Sequence, residues 1–321
     1  MSCSVNMRTH ASPTPPPRFR SKGSGAPPQA EPPTVFIQER ARVGRWDKRG
    51  GGAIGVFDSG IGGLTVVREL LRVLPDEPIV YLGDTARVPY GNKSRDTVLK
   101  FSTENVLFLL HHDVKLIVIA CHTASSFALP FLERHFSHPI LGVIEPGVET
   151  ALSVSRAGRI GVIGTTATVG SKAYLHAFAR HHHRVQVTQV ACPLFVPLVE
   201  EGCVKDSLAH QVALRYLKPL KAARVDSVIL GCTHYPLLKQ TIAQVMGPKV
   251  TLIDSARQVA LKVRVVLKEM DLTAPLSNSR SPSRRFFVTD EPRHFEDFSR
   301  RFLGQQPGDV SKVDVSNALG R

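Results

Sequence analysis

From Ala53 onward, short unbroken apolar runs alternate with segments whose apolar residues recur every three or four positions. Ile54 to Phe57 contains no polar side chain, as expected of a strand covered on both faces. Thr65 to Leu74 places Val66, Val67, Leu70, Leu71 and Leu74 on one face of a helix. Ile79 to Leu82 reads as a second strand. Arg95 to His111 reads as a helix, with Val98, Phe101, Asn105 and Phe108 roughly on one side. Leu116 to Ala120 is a strand that ends at Cys121. Strands apolar throughout, separated by amphipathic helices, predict an α/β fold with mainly parallel sheets.

The same order occurs twice. Ile54-Gly-Val-Phe-Asp-Ser59 resembles Ile160-Gly-Val-Ile-Gly-Thr165. Leu116 to Cys121 resembles Asp226 to Cys232, and each apolar run delivers a cysteine at its end. Val80 to Thr85 and Val190 to Leu194 fill the corresponding middle slot. Ile54 lies 67 residues before Cys121, and Ile160 lies 72 before Cys232. The echo predicts two pseudo-symmetric α/β domains, each presenting a thiol at the carboxyl end of its sheet, with the active site in the cleft between them. The first domain is assigned to residues 53–147 plus 255–321, and the second to 148–254. The return of the chain to the first domain after Ser255 rests on the family resemblance given below.

Composition adjusts this picture at its N-terminal end. Residues 1–52 are rich in Pro and basic residues, and they close on glycines. Such a segment buries too little apolar surface to offset its ordering entropy, which predicts a disordered tail with at most a short ordered piece around Val35 to Ile37. The 321 residues suffice for two domains. No apolar run approaches the ~18 residues of a membrane-spanning helix, so no membrane association is expected. The start of the chain lacks the apolar core of a secretory signal, which predicts a cytoplasmic location. The net charge of +14 raises nucleic acid as a partner. However, residues 1–50 hold nine Lys/Arg and three Asp/Glu, leaving 32 − 24 = +8 scattered over the rest. No nucleic-acid-binding motif accompanies it, which argues against that class.

Five cysteines, Cys3, Cys121, Cys192, Cys203 and Cys232, include no CxxC pair. An odd count without such spacing argues against a disulfide framework and structural zinc. Most free thiols are inert core residues, and Cys192 and Cys203 are read so. Cys121 and Cys232 differ in their neighbours. His122-Thr123-Ala124-Ser125-Ser126 follows the first, and Thr233-His234-Tyr235-Pro236 follows the second. Two thiols facing each other across one carbon can remove a proton from one face and deliver one to the other. A thiol suits the task because its ordinary pKa of about 8.5 is readily tuned.

Four motifs carry a family resemblance: Asp58 to Leu64, Gly83 to Gly91, Cys121 to Ser125 and Gly231 to Pro236. In this order they resemble the bacterial glutamate racemases of the aspartate/glutamate racemase superfamily. The likeness runs from about Ile54 to Phe286-Phe287-Val288-Thr289-Asp290. It implies interconversion of L- and D-glutamate for peptidoglycan synthesis without cofactor or metal, and a homodimer fits the family. It implies Cys121 and Cys232 as the two bases, supported by Asp58 and His234. Substrate contacts would come from Asp58, Ser59, Tyr90, Gly91, Thr123, Thr233 and His234. The family's further acid corresponds to Glu200 or Glu201, and Glu200 is favoured. One position departs from pattern: His122 stands where the family usually has Asn. A neutral imidazole could still donate to the substrate, whereas a protonated one would make the site sensitive to pH between about 6 and 8. In a third arrangement His122 turns away and donates to a backbone carbonyl.

Other readings weigh against these. Gly60-Ile-Gly-Gly fails the dinucleotide fingerprint, since Thr65 stands at the third glycine. No P-loop Lys follows. Asp58 could cap the next helix, His234 could be an ordinary core histidine, and Asp84 could hold the Thr85-to-Gly91 loop. His181 to His183 point in different directions and read as a solvated turn, not a metal site. The rival functions are a related racemase, such as one for aspartate, and a binding protein that kept the fold.

Overall fold

The computed structural model describes residues 52–181, 184–275 and 282–316. The tail through residue 51, with Cys3 and the Val35-to-Ile37 segment, lies outside the described residues, as do His182 and His183. Among the described residues ten strands form two wholly parallel sheets. The first contains β1 (Ala53–Asp58), β2 (Ile79–Gly83), β3 (Val114–Ile119), β4 (Ile140–Gly142), β9 (Arg284–Val288) and β10 (Val310–Lys312), in the order β10-β9-β2-β1-β3-β4. The second contains β5 (Arg159–Gly164), β6 (Gln186–Ala191), β7 (Ser227–Gly231) and β8 (Thr251–Asp254), in the order β6-β5-β7-β8.

The second sheet repeats the order of the middle of the first, with β5, β6, β7 and β8 in the places of β1, β2, β3 and β4. In both, the chain runs from a central strand to one side and then crosses to the other. That reversal opens a crevice at the carboxyl ends of the strands, where open α/β sheets bind their ligands. In the first sheet the crevice lies between β1 and β3, and in the second between β5 and β7. The register Phe57↔Ile119 brings Ser59 level with Cys121. The register Gly164↔Gly231 brings Thr165 level with Cys232. Each half thus sets one hydroxyl beside one thiol at its switch point.

Every residue of β1, β2, β3 and β7 is buried, which explains the apolar runs they carry. The helix Ser255–Glu269 follows β8 directly and packs against the helix Leu64–Val73. Its Val259, Ala260 and Val263 join Ile54 and Val56 of the first sheet to Val228 and Leu230 of the second in one apolar cluster. The helix Ile144–Val154 runs across position 147 and contributes Ile144, Val148 and Ala151 to a cluster with Ile160, Val162 and Ile229. Among the described residues no helix is long and apolar enough to cross a membrane.

The two halves meet closely at the loop after β1. A Cβ on Gly62 would lie 2.3 Å from Thr233 Oγ1 and 2.5 Å from His234 Nδ1. Only a glycine lets this loop approach the second half so nearly. Thr65 Oγ1 donates to the Thr233 carbonyl at 3.1 Å and ties the same junction.

Candidate active site

A cavity of about 260 Å3 lies at the meeting of the two crevices, and both Cys121 and Cys232 line it. Ser59, Tyr90, Gly91, His122, Thr123, Glu200, Thr233 and His234 line it too. Asp58 is fully buried behind this wall. The structure therefore gathers the sequence-predicted residues from both halves into one place.

Cys121 caps the short helix His122–Phe127, and its Sγ accepts from the Ala124 N–H at 3.5 Å. Burial and the neighbouring Asp58 carboxylate push its thiol up to about 12, against the opposing pull of Ser59 and that N–H. The N-cap of the following helix is Gly63, which has no side chain to cap it; Asp58 turns its carboxylate to the backbone there, the Gly63 N–H included. Its Oδ2 accepts from the Gly60 N–H at 3.1 Å. Burial raises the Asp58 carboxyl, while His234 and the N–H groups of Gly63, Gly60 and Ser59 oppose the rise.

Cys232 follows β7 and faces an imidazole. His234 Nδ1 lies 3.9 Å from Cys232 Sγ and 3.4 Å from Thr233 Oγ1, and Nε2 lies 3.0 Å from Glu200 Oε1. Burial alone would lower the His234 pKa, yet its bonds to Cys232 and Glu200 lift it to about 10. His234 therefore sits between a thiol and a carboxylate. Glu200, at the end of the helix Phe195–Glu200, is the acid that reaches it.

The Tyr90 loop is fixed from below. Asp84 accepts from Tyr90 Oη, from Arg87 Nε at 2.8 and 2.7 Å and from Thr289 Oγ1 at 3.0 Å. Arg87 also pairs with Glu104. Asn105, a polar residue in an apolar stripe, donates to Tyr90 Oη at 3.2 Å and accepts from Arg87 Nη2 at 3.1 Å. Asp84 thus holds this loop. Cys192 is a buried core thiol, and Cys203 is half-buried. His181 is not simply solvated, since its Nε2 lies 2.5 Å from Glu145 Oε1. Among the described residues no group of three His, Cys, Asp or Glu is placed to hold a metal ion.

His122 departs from expectation. A titrating role near neutral pH is contradicted, because burial pushes its pKa down to about 3 and leaves the ring neutral. Donation to a backbone carbonyl is contradicted as well, since neither ring nitrogen has a hydrogen-bond partner. Thr165 also lines the cavity and was not singled out from the sequence as a site residue. Its hydroxyl lies 3.0 Å from that of Thr123, bridging the halves. The echo of Ser59 at Thr165 held the information needed to find it.

Two parallel sheets of like central topology, each bringing a thiol to one shared cavity, define an α/β protein with a pseudo-symmetric site for a small ligand. Comparison with known proteins narrows this class. The family model for Asp/Glu/Hydantoin racemase matches residues 54–262. A glutamate racemase of Geobacter metallireducens is 49% identical over 263 residues, covering 82% of this chain and 97% of that protein. The crystal structure of glutamate racemase isoform RacE1 from Bacillus anthracis aligns with a TM-score of 0.79 and 38% identity, covering 83% of this chain and 98% of the other. That of the Francisella tularensis glutamate racemase in complex with D-glutamate aligns with a TM-score of 0.77 and 38% identity, covering 83% and 99%. The chain belongs to the Asp/Glu/Hydantoin racemase family, within its glutamate racemase branch.

Proposed function

We propose that this protein interconverts L- and D-glutamate without a cofactor, using Cys121 and Cys232 as two opposed acid–base groups. The observation that carries the reading is the pair of thiols at equivalent switch points, lining one cavity with a carboxylate beside one and an imidazole beside the other. In the D-to-L direction Cys121, as thiolate, takes the α-proton. Cys232, as thiol, delivers its own proton to the opposite face of the carbanion. The reverse reaction exchanges the roles. Asp58 contributes through charge. A substrate ammonium group would offset the charge of the carboxylate that, with burial, raises the Cys121 thiol. His234, backed by Glu200, balances charge on Cys232 and orients its sulfur.

Ser59, Tyr90, Gly91, Thr123 and Thr233 are assigned to substrate binding, with the neutral His122 ring as a further hydrogen-bond donor. Residues 53–147 with 255–321 form one lobe in this reading, and 148–254 the other. A homodimer and supply of D-glutamate to peptidoglycan synthesis are carried by the family resemblance alone.

The test is chiral analysis of purified protein after dialysis against a chelator, offered L-glutamate and L-aspartate in parallel. Appearance of D-glutamate without D-aspartate is expected. Racemisation of aspartate in preference, a requirement for added metal or pyridoxal phosphate, or no racemisation of either, would overturn the reading.

A further inference from the structure

The end of the helix Phe195–Glu200 carries Glu200 to His234, and it is held by the C-terminal helix Pro292–Leu303. Carbonyls in the last turn of a helix have no partner within that helix. Here Arg301 supplies one. Its Nη1 donates to the Val199 carbonyl at 2.9 Å and to the Glu200 carbonyl at 2.8 Å. The guanidinium also lies over the Phe298 ring, 5.3 Å from its centre. The turn beyond Glu200 leaves room for it. Gly202 adopts φ +82°, and a Cβ there would come within 3.3 Å of Arg301 Nη2.

The next residue reaches His234 from another side. The edge of one ring meets the face of the other where Phe302 packs on His234, with centres 5.2 Å apart and planes at 80°. The Phe302 carbonyl is itself held by Arg68 Nη1 at 3.2 Å. Arg301 and Phe302 therefore fix both partners of one hydrogen bond, the 3.0 Å contact of His234 with Glu200. No such buttress from this helix meets Cys121.

We infer that Arg301 is a positioning residue for proton transfer at Cys232: it holds the main chain of Glu200 and, through Glu200 and His234, sets the orientation of that thiol. The inference rests on the two-thiol reading above. It assigns the C-terminal helix, which returns to the first sheet, a role in chemistry delivered by the second.

The experiment compares the full-length wild type with Arg301→Ala and Arg301→Lys. Arg301 is exposed, so its truncation leaves no cavity. Misplacing a catalytic group by about 1 Å costs up to roughly 100-fold, so a loosened relay should lower kcat of Arg301→Ala about tenfold. The thermal midpoint should fall by no more than about 4 °C, and Arg301→Lys should recover part of the loss because it can still donate to a carbonyl. The decisive readout is the primary isotope effect with α-deuterated substrate in each direction. Slower abstraction by Cys232 raises the effect for L-glutamate, and slower donation by Cys232 lowers it for D-glutamate. Opposite changes for the two enantiomers support the inference. Unchanged kcat, or a loss with both isotope effects unaltered or moved alike, overturns it. A wild type that does not racemise glutamate removes the underlying reading instead.

Discussion

Cys121 and Cys232 stand at matching positions in two sheets of one topology, yet their surroundings are opposite in charge. Cys121 has a buried carboxylate beside it and is pushed up to about 12. Cys232 has an imidazole whose pKa is lifted to about 10 and whose far nitrogen faces Glu200. Duplication explains why two thiols meet across one cavity. It does not explain how one can be an acid while the other is a base at the same pH. Two thiols in identical settings would tend to hold or lose their protons together. Divergence of the neighbours, Asp58 on one side and His234 on the other, makes the two settings unlike.

The comparison can be broken most directly at the sulfurs. Cys121→Ser and Cys232→Ser should each reduce racemisation by about 10³-fold or more, near the upper range of general acid–base contributions, with the far-UV dichroism unchanged. Near-normal turnover in either variant would remove the two-thiol account. Asp58→Asn should lower kcat less severely and make Cys121 react faster with iodoacetamide near pH 8. It takes away the charge that, together with burial, holds that thiol protonated. Mass mapping of the alkylated cysteine checks this, and an unchanged labelling rate at Cys121 would contradict it.

Glu200→Gln sharpens the other half. One of the groups that raise His234 is lost, so the alkaline limb of the kcat profile should move to lower pH. Stability should follow with a defined sign. A histidine raised in the folded state gives a contribution complete below its unfolded value of about 6.5 and lost as pH rises through the folded one. The wild type should therefore lose thermal midpoint between about pH 6.5 and 10, and Glu200→Gln should lose less over that window. Parallel curves for the two proteins would show that Glu200 does not act on His234.

The smallest effect is expected at His122. Its ring is neutral well below physiological pH, so His122→Asn should remain active. The pH dependence of its KM between 6 and 8 should superimpose on that of the wild type. A difference confined to that range would restore a titrating role.

The chain's own pattern made the central strands, the duplication and both thiols legible, because buried parallel strands write themselves as short apolar runs and β3 and β7 each lead to a cysteine. The sequence could also reduce the further acid to Glu200 or Glu201, and the Glu200 side chain is the one that meets His234. What stayed hidden depends on contacts between distant segments. Asn105 shares a helix side with Val98, Phe101 and Phe108, and only the fold brings Tyr90 and Arg87 to it. The burial that silences His122 comes from packing that no local periodicity records. Arg301 is one basic residue among many in the sequence, and its meaning arises only where the Glu200 carbonyl lies 2.8 Å away. Thr165 was within reach, since the echo of Ser59 pointed to it.

The most direct test of two opposed thiols is the position of solvent deuterium early in the reaction. L-glutamate is incubated with the protein in D2O, and the two enantiomers are separated and analysed by mass before a tenth of the substrate has turned over. Two bases on opposite faces predict D-glutamate carrying deuterium at the α-carbon beside recovered L-glutamate that carries almost none. Extensive α-deuterium in the recovered L-glutamate, or α-protium kept in the D-glutamate, would mean that one group serves both faces and would contradict the account.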